Sequence, residues 1–447
     1  MTDMNRPSTR MPKSRQRTVS GEIALSKRDL PNLKNNLLNE YHHKAWEVYE
    51  SLPFPTRLDE AWRRTDLSNL DIQKIIPHNV EKRSTQLFSA SRLSSLTKNY
   101  SGQILLSEKH VRTFLSENAR DQGVIFSDLL SAEHQHADLL AGMIGKIVKP
   151  QEGKFAALAS AFAQDGVLLY VPEGVVLEHP FRIIFSGAQA FSGRMTHLVV
   201  WLEEGASISL ITDYESPSLP SNLQAFNAGV AEFNISQNAD LTLTDTQAWG
   251  EHVWSFTHHR ARVFKNGKIT WITGNLGCQK FKAFLDVDLI EPGAEAKMNG
   301  FYISDRQQHF DIDTQQNHLA PHTISDLLYK GVLLGQSKAI WQGMIHVAPH
   351  ALKIDGFQTN NNLILSSTAK ANSIPGLEIL ADDVSCSHGA TVSNIDDTEM
   401  FYLQSRGIPR KEASALITKG FLHSVFSMIK NKDLITGMKQ SIDKKIV

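Results

Sequence analysis

One periodic pattern covers about half of the chain and limits the folds that it can adopt. From about residue 155 to residue 392, apolar and polar residues alternate, as in Leu285-Asp286-Val287-Asp288-Leu289. Alternation with a period of two is typical of β-strands that bury one face. Glycine-containing turns recur about thirty residues apart, or at a multiple of that interval, a spacing found in repeat proteins. The turns are Pro172-Glu173-Gly174, Glu203-Glu204-Gly205, Lys265-Asn266-Gly267 and Glu291-Pro292-Gly293.

Two arrangements of strands are consistent with this pattern. A β-sandwich would join strands by hairpin turns every 8–12 residues, and it would rarely extend over this length as one domain. A β-helix stacks coils that return to the same position, so its strand and turn residues recur along the chain. The length of the region and its recurrent turns favour the β-helix.

Helical periodicity precedes the β region. Five apolar residues share one helix face, and Pro53 and Pro55 are expected to end that helix. Further polar–apolar stretches at 84–96 and 105–115, and a predicted helix at 132–147, complete a helical N-terminal domain at 29–152. The residues of the first face are Leu37, Tyr41, Ala45, Val48 and Tyr49.

Helical periodicity returns after residue 396. A bulky apolar stripe follows Pro409, which is suited to a first helical position. The stripe could pack on its own protein or bind another subunit. The sequence therefore predicts a mainly β protein with helical flanks: a flexible N-terminal tail at 1–28, a β-helix core at 153–396 and a C-terminal helical domain at 397–447. The stripe comprises Ala413, Leu416, Ile417, Gly420, Phe421, Ser424, Val425 and Met428.

Composition excludes several classes of protein. The net charge of −1 gives no electrostatic reason to expect a nucleic acid or an anionic membrane as partner. No apolar run approaches the length of a membrane span. Two cysteines, Cys278 and Cys386, cannot form a disulfide framework and indicate a reducing compartment. The basic N-terminus lacks the apolar core of a secretory signal; a flexible tail is preferred over an organellar transit peptide, and we expect a cytoplasmic protein.

Motifs for energy coupling are absent from the sequence. Gly331-Val332-Leu333-Leu334-Gly335-Gln336-Ser337-Lys338 lacks the Gly-Lys step and the spacing of a phosphate-binding P-loop. A group of polar residues in the β region could coordinate a metal, but no pair of cysteines accompanies it. Side-chain ladders across stacked coils are the preferred interpretation. The group comprises His309, Asp311, Asp313, His318, His322, His346 and His350.

Cys386 and His388 form a more specific pattern. Residues two apart in a strand project from the same face, so a thiol and an imidazole would lie side by side. Both are ligands of iron or zinc, and thiolate is the usual ligand of iron–sulfur clusters. Two ligands do not complete a four-ligand site. Other segments of this chain or a second chain would have to supply the rest, or Cys386 is simply a small core residue.

The segment around these two residues resembles the SufB/SufD family of iron–sulfur cluster assembly proteins. The resemblance covers Leu377-Glu378-Ile379-Leu380-Ala381-Asp382-Asp383-Val384-Ser385-Cys386-Ser387-His388-Gly389 and continues to Phe401-Tyr402-Leu403-Gln404-Ser405-Arg406-Gly407. Weaker matches occur at Leu328-Tyr329-Lys330-Gly331 and at Arg57-Leu58-Asp59-Glu60-Ala61-Trp62. The resemblance implies a helical N-terminal domain, a right-handed β-helix and a C-terminal helical domain.

Within that family the chain is more similar to SufD than to SufB. SufB-type sequences carry a cysteine near Thr359-Asn360-Asn361, and this chain has none there. The resemblance implies a complex with a SufB-like subunit and a SufC-like ATPase. It implies that His388 and Cys386 supply half of the ligands of a transient iron–sulfur cluster at the SufB interface, and that the isolated chain holds no cluster tightly. Ser385 stands where the family commonly has lysine, which weakens the case for a lowered pKa at Cys386.

The C-terminal domain is expected to bind the ATPase through Phe401, Arg406, Leu416, Ile417, Phe421 and Val425. Two other functions remain open. The chain could be a SufB-like scaffold that holds the cluster as a homodimer, a state that the isolated chain could also adopt. More remotely, it could be a polysaccharide-active enzyme, since many such enzymes are β-helices.

Overall fold

The computed structural model describes residues 25–31, 36–77, 84–87, 99–163 and 165–446. Most of the tail predicted at 1–28 lies outside these ranges. Its last residues differ from the expectation, because Leu25 is buried and Ser26 caps a short 3-10 helix at Lys27–Asp29.

Strands account for most of the described part of the chain. The first five lie in the N-terminal region and the others form the central body. They are β1 (Ile76–Pro77), β2 (Ser84–Leu87), β3 (Gly102–Leu106), β4 (His110–Leu115), β5 (Ile125–Asp128), β6 (Asp165–Val171), β7 (Phe181–Ser186), β8 (Ser192–Leu202), β9 (Ser207–Glu215), β10 (Ala225–Ile235), β11 (Asp240–Ala248), β12 (Val253–Val263), β13 (Lys268–Asn275), β14 (Lys280–Leu289), β15 (Glu295–Ser304), β16 (His309–His318), β17 (Ile324–Leu333), β18 (Lys338–Val347), β19 (Asp355–Ile364), β20 (Lys370–Ile379) and β21 (Ser385–Asn394).

The central body is a β-helix made of two facing sheets. From β6 onward, even-numbered strands form sheet A and odd-numbered strands form sheet B, and neighbours within each sheet are parallel. Each coil contributes one strand to each sheet. Paired residues in neighbouring strands of one sheet are therefore one coil apart, as Ala225 is from Val253 and Lys338 is from Lys370. The predicted repeat of about thirty residues and the β-helix itself are confirmed.

The recurrent turns have the conformation that their glycines suggested. Gly174, Gly205 and Gly293 adopt φ values of 69°, 68° and 77°, in the left-handed region that favours glycine. In the turn 265–267 it is Asn266, at φ 53°, that takes this conformation. Asparagine tolerates it better than other residues with a side chain.

The interior between the sheets contains most of the apolar core. Its largest cluster runs from Ile104 to Ala369 and includes Trp271, Leu285 and Trp341. A second cluster, outside sheet A, packs the N-terminal helices against that sheet. Helices cover part of both outer faces.

The helices of the N-terminal region are α1 (Asn36–Ser51), α2 (Glu117–Asp121), α3 (Leu129–Met143) and α4 (Lys154–Phe162), with 3-10 turns at Glu60–Trp62, Ile72–Lys74 and Pro150–Glu152. Of these, α1 and α3 overlap helices that the sequence predicted, whereas α4 lies where the β-helix core was expected to begin, at residue 153, and the core begins with β6 instead. α1 ends just before Pro53, as expected. α3 covers most of the helix predicted at 132–147. Gly145, Ile147 and Val148 donate backbone hydrogen bonds to the buried Glu232 carboxylate on sheet A.

The expectation of helix at 84–87 and 105–115 is wrong. β3 pairs antiparallel with β4 and parallel with β7, which joins this region to the start of sheet B. Ile104, Leu106 and Val111 are buried in the interior cluster. Their alternation and the β-branched side chains of Ile104 and Val111 favour a strand, and the local polar–apolar pattern did not separate this from a helix. Residues 88–96 of the same expected stretch lie outside the described ranges.

Three helices follow the last strand: α5 (Asp397–Ser405), α6 (Arg410–Phe426) and α7 (Lys432–Ile446). α6 and α7 pack on the outer face of sheet B, where Leu422, Val425 and Ile442 are fully buried with Val332. No helix in the part of the chain that the structure describes is long and apolar enough to cross a membrane.

Candidate functional site

The β-helix is open at its C-terminal end. β20 is the last strand of sheet A and pairs with β18, while β21 is the last strand of sheet B and pairs with β19. Within the described residues, neither strand has a neighbour on its other side. An edge strand of this kind can pair with another chain. We call this surface, formed by β20, β21 and the turn between them, the open end.

Cys386 and His388 lie in β21 on the side that continues the interior of the β-helix. Cys386 is paired with Gly356, and His388 with Gln358. Both partners in β19 are buried and face the interior. In-register parallel neighbours project from the same face of a sheet, so the thiol and the imidazole end the interior column. Cys386 is half-buried and His388 is exposed.

The Cys386 thiol occupies space that is free because Gly356 has no side chain. A Cβ placed on Gly356 would lie 3.3 Å from Cys386 Sγ, 3.3 Å from His318 Nε2 and 3.3 Å from Ile345 Cγ2. Each of these contacts would be tighter than most in proteins. The thiol also packs against the small apolar cluster of Ile345, Val347 and Ile354. Gly356 therefore lies directly beneath Cys386, on the interior side of the site.

The environment of Cys386 favours the protonated thiol over the thiolate. Partial burial raises the pKa of the thiol, and the charge of Asp355 raises it further. Neither effect is of the kind that activates a cysteine. Ser385, which stands where the family commonly has lysine, had already weakened the case for a lowered pKa of Cys386, and in the structure that pKa is raised.

Apolar residues beside this pair leave the interior core uncovered. Leu377 pairs with Ile345, and Ile379 pairs with Val347. Ile345 and Val347 are completely buried, whereas Leu377 and Ile379 are 36% and 41% exposed. Because they continue the same interior rows, a further layer placed on the open end would cover them. Leu380, 52% exposed, extends this apolar rim.

No group of three His, Cys, Asp or Glu side chains in the described ranges is arranged to hold a metal ion. At the open end Cys386 and His388 offer one sulfur and one nitrogen donor. An iron site of four ligands would need two more donors from outside this pair.

The polar group at 309–350 does not assemble into one site. Lys282 Nζ contacts Asp311 Oδ1 at 2.9 Å and Asp313 Oδ2 at 2.8 Å on the outer face of sheet A. His309 Nε2 lies 3.0 Å from Thr65 Oγ1.

His318 and His346 have separate partners. Inside the β-helix, the ring nitrogens of His318 lie 2.7 Å from Thr323 Oγ1 and 2.8 Å from Ser325 Oγ. His346 pairs with Glu378 across neighbouring strands. A contact across neighbouring coils, as predicted, is therefore present for His346, whereas His318 bonds within its own coil.

Cys278 is a core residue. It is completely buried, and its Sγ lies 2.8 Å from the carbonyl oxygen of Val253 and 2.9 Å from that of Lys280, so its single S–H can donate to either. Burial raises its pKa far above the usual range of a thiol. It has none of the features of a reactive cysteine.

The residues predicted to bind a partner fall into two groups. Phe401 and Leu416 are 72% and 50% exposed, and Arg406 is exposed with its guanidinium over the Tyr402 ring. The others pack on the chain itself.

Ile417 is half-buried, and Phe421 accepts a hydrogen bond from Lys330 Nζ at its carbonyl. Val425 is completely buried against sheet B. It is not available to a partner, because its helix face is the one that packs on the sheet.

Sequence reasoning missed Gly356, Asp355 and the rim residues Leu377 and Ile379. Each follows from the pairing of neighbouring coils. Gly356 lies one coil, about thirty residues, before Cys386 in the sequence. Because the length of the coils varies, Gly356 could be identified only once the register of the strands was known.

Comparisons with known proteins cover nearly all of the described chain. The family described as "SUF system FeS cluster assembly, SufBD core domain" matches residues 184–421. The family described as "SufBD protein N-terminal region" matches residues 25–183. Two similar proteins are named iron–sulfur cluster assembly SufBD family proteins. One, from Staphylococcus saprophyticus, is 25% identical over 88% of this chain and 87% of its own length. Another, from Staphylococcus aureus strain MRSA252, is 25% identical with the same coverage.

Proposed function

Because this chain belongs to the SufBD family of iron–sulfur cluster assembly proteins, we propose that it is a SufD-like scaffold subunit of a SufBCD complex. In this role it is not an enzyme. It presents His388 and Cys386 to a nascent iron–sulfur cluster, which is the cargo of the complex. The other ligands come from a SufB-like subunit.

One observation carries this proposal: Cys386 and His388, which β21 places on the same face at the open end, are half of a site. An imidazole and a thiol from β21 both suit iron. They lie where the interior of the β-helix meets solvent, so a second chain placed on this end would bring its own donors directly opposite. An incomplete site is what a shared interface requires.

The apolar rim supports a protein partner at this surface. Leu377 and Ile379 extend interior rows whose earlier members are fully buried. Covering them removes apolar surface from water, which is favourable at about 25 cal/mol per Å². The free edges of β20 and β21 add unpaired backbone groups that a partner strand can satisfy. We assign this surface to the SufB-like subunit.

The two donors differ in how readily they bind iron. Cys386 must lose its proton before it coordinates a metal, and its raised pKa opposes this at neutral pH. His388 is exposed, and an imidazole binds iron through a ring nitrogen without having to become an anion. We therefore assign the primary role to His388. Cys386 joins when the partner or the iron itself stabilises its thiolate.

ATP hydrolysis is assigned to a partner. The sequence contains no P-loop. Phe401 is exposed on α5, Arg406 is exposed at the C-terminal end of α5, and Leu416 is exposed on α6. We propose that these three residues contact a SufC-like ATPase. Arginine and aromatic residues are frequent at the centres of protein interfaces. The expected location of the complex is the cytoplasm.

Anaerobic reconstitution tests the proposal. The chain alone, and the chain co-expressed with a SufB-like and a SufC-like protein, are incubated with ferrous iron and sulfide and followed by visible absorption. We expect cluster absorption from the complex and little from the chain alone. Strong, stable cluster absorption from a homodimer of this chain would instead support the SufB-like alternative, so sedimentation velocity of the same sample is measured in parallel.

A further inference from the structure

A polar cavity lies inside the β-helix, remote from the open end. Side chains from β9 to β14 line it, and its volume is about 20 Å³. Most of the β-helix interior is apolar, but eight of the lining residues are polar: Asn227, Asp245, Gln247, Ser255, Thr257, His259, Thr273 and Asn275. Such a concentration of polar groups in a core calls for partners, because burying an unpaired polar group costs about 1–3 kcal/mol.

Several polar atoms of these side chains lack a hydrogen-bond partner in the part of the chain that the structure describes. Among the described residues, nothing forms a hydrogen bond with Asn227 Oδ1, Thr257 Oγ1, Asn275 Nδ2 or either ring nitrogen of His259. All four side chains are at most 6% exposed. His259 Nδ1 lies 3.3 Å from Asp245 Oδ2, but this contact lacks the geometry of a hydrogen bond. Buried polar atoms of this kind are usually satisfied by ordered water.

We propose that this cavity is an internal water site that holds one ordered water molecule, and at most two. A water molecule needs about 10–15 Å³ of such space and two to four polar partners. The cavity provides both. It is too small for an organic ligand of ordinary size.

The mixture of donors and acceptors selects water over an ion. Asn227 Oδ1 accepts, Asn275 Nδ2 donates, the Thr257 hydroxyl does both, and a neutral His259 ring offers one donor and one acceptor. A cation would be placed against the Asn275 amide hydrogens, and an anion against the Asp245 carboxylate. A neutral molecule that donates and accepts satisfies both sets.

The water has a structural role beside Asp245. One carboxylate oxygen of Asp245 accepts a hydrogen bond from Thr212 Oγ1 at 2.7 Å. The other faces His259 without a hydrogen bond. A water between them would donate to the carboxylate and link it to the imidazole, which lowers the cost of burying the charge. This inference is independent of the role proposed for the open end.

Crystallography of the full chain tests the site. We expect a water peak within hydrogen-bond distance of His259 and of Asn275 in the wild-type protein at better than about 2 Å resolution. In His259→Phe, which removes both ring nitrogens, the peak should be lost. The matched variant His259→Gln keeps a donor and an acceptor and should retain it.

Two soaks identify any other occupant. A xenon peak in pressurised crystals would show a dry apolar cavity, since cavities of that kind bind xenon. An anomalous peak after a rubidium soak would show a cation site. Either result, or no density between well-ordered lining side chains, would overturn the proposal. These wild-type measurements decide the question even if His259→Phe does not fold.

Discussion

The Sγ atom of Cys386 lies 3.3 Å from the position that a Cβ on Gly356 would occupy. The two residues are paired across neighbouring strands, with Cys386 in β21 and Gly356 in β19. The thiol therefore rests in the space left by a missing side chain, at the point where the interior of the β-helix ends. This contact sets the depth of the proposed cluster site.

Filling that space should push the thiol outward. In Gly356→Ala the new methyl group would contact Cys386, His318 and Ile345 at once, and overpacking of this kind costs about 1–3 kcal/mol. We expect Cys386 to become more exposed and its reaction with a disulfide reagent at pH 8 to become several-fold faster.

Gly389→Ala is the matched control for Gly356→Ala. Its nearest contact would be Thr359 Oγ1 at 3.5 Å, an ordinary van der Waals distance. The control should react at the wild-type rate. Equal rates for all three proteins would mean that Gly356 does not set the position of the thiol.

A charge on the apolar rim should prevent assembly without harming the fold. Leu377 is 36% exposed and continues a buried interior row, so Leu377→Lys would place a charge where the partner is proposed to pack. We expect weaker binding to the SufB-like subunit in sedimentation velocity, with the thermal unfolding temperature of the isolated chain nearly unchanged.

Ile324→Lys provides the comparison for Leu377→Lys. Ile324 is 47% exposed in β17 but lies on the outer face of sheet B. Ile324→Lys should leave binding to the SufB-like subunit intact. If Leu377→Lys bound as tightly as the wild type, the rim would not be the interface.

Acid should destabilise the β-helix through its buried histidines. His318 is bonded to two hydroxyl groups in the interior, and burial lowers its pKa from 6.5 to about 4. As the pH falls, His318 therefore binds its proton first in the unfolded chain. Its contribution to the free energy of unfolding is fully present well above pH 6.5 and is lost as the pH drops toward 4. The loss for this one residue between pH 7 and pH 5 is roughly 2 kcal/mol.

Urea unfolding of the wild type and of His318→Gln at both pH values measures this term. Glutamine can bond to the same hydroxyls and does not titrate. The variant should lose less stability than the wild type between pH 7 and pH 5. An equal loss would assign the acid sensitivity to other groups, among them His258, whose pKa burial lowers to about 3.

Removing the cation of the Lys282 pair should be severely destabilising. Lys282 and Asp311 are both 0% exposed at their side chains, 2.9 Å apart, and Lys282→Met would leave the carboxylate buried without its partner. The expected cost is about 3–5 kcal/mol. The double variant Lys282→Met with Asp311→Asn removes both charges and should recover part of that loss in urea unfolding. No recovery would mean that Lys282 contributes mainly through packing.

Local patterns in the sequence predicted the architecture well where they repeat. Alternation and recurrent turns led to the β-helix, because each coil buries its side chains in the same way. The strands β3 and β4 were missed, since β4 pairs with β3 and β3 joins the sheet through β7, more than sixty residues away along the chain, and nothing local in 102–115 excludes a helix.

The site was predictable only in part. The shared face of Cys386 and His388 follows from their spacing and from the register of β21 on β19. The exposure of Leu377 and Ile379 depends on β20 being the last strand of its sheet, and the raised pKa of Cys386 depends on its partial burial and then on Asp355 in the neighbouring coil. Both are properties of the stack, which no single segment contains.

The most direct test of the account is the visible absorption of the reconstituted three-protein complex when this chain carries His388→Ala. His179→Ala, which removes another exposed histidine in a turn far from the open end, is the matched control. We predict that His388→Ala abolishes most of the cluster absorption while complex formation, checked by sedimentation velocity, is retained, and that the control forms clusters normally. Wild-type cluster absorption in the His388→Ala complex would contradict the assignment of His388 as a ligand and with it the half-site at the open end.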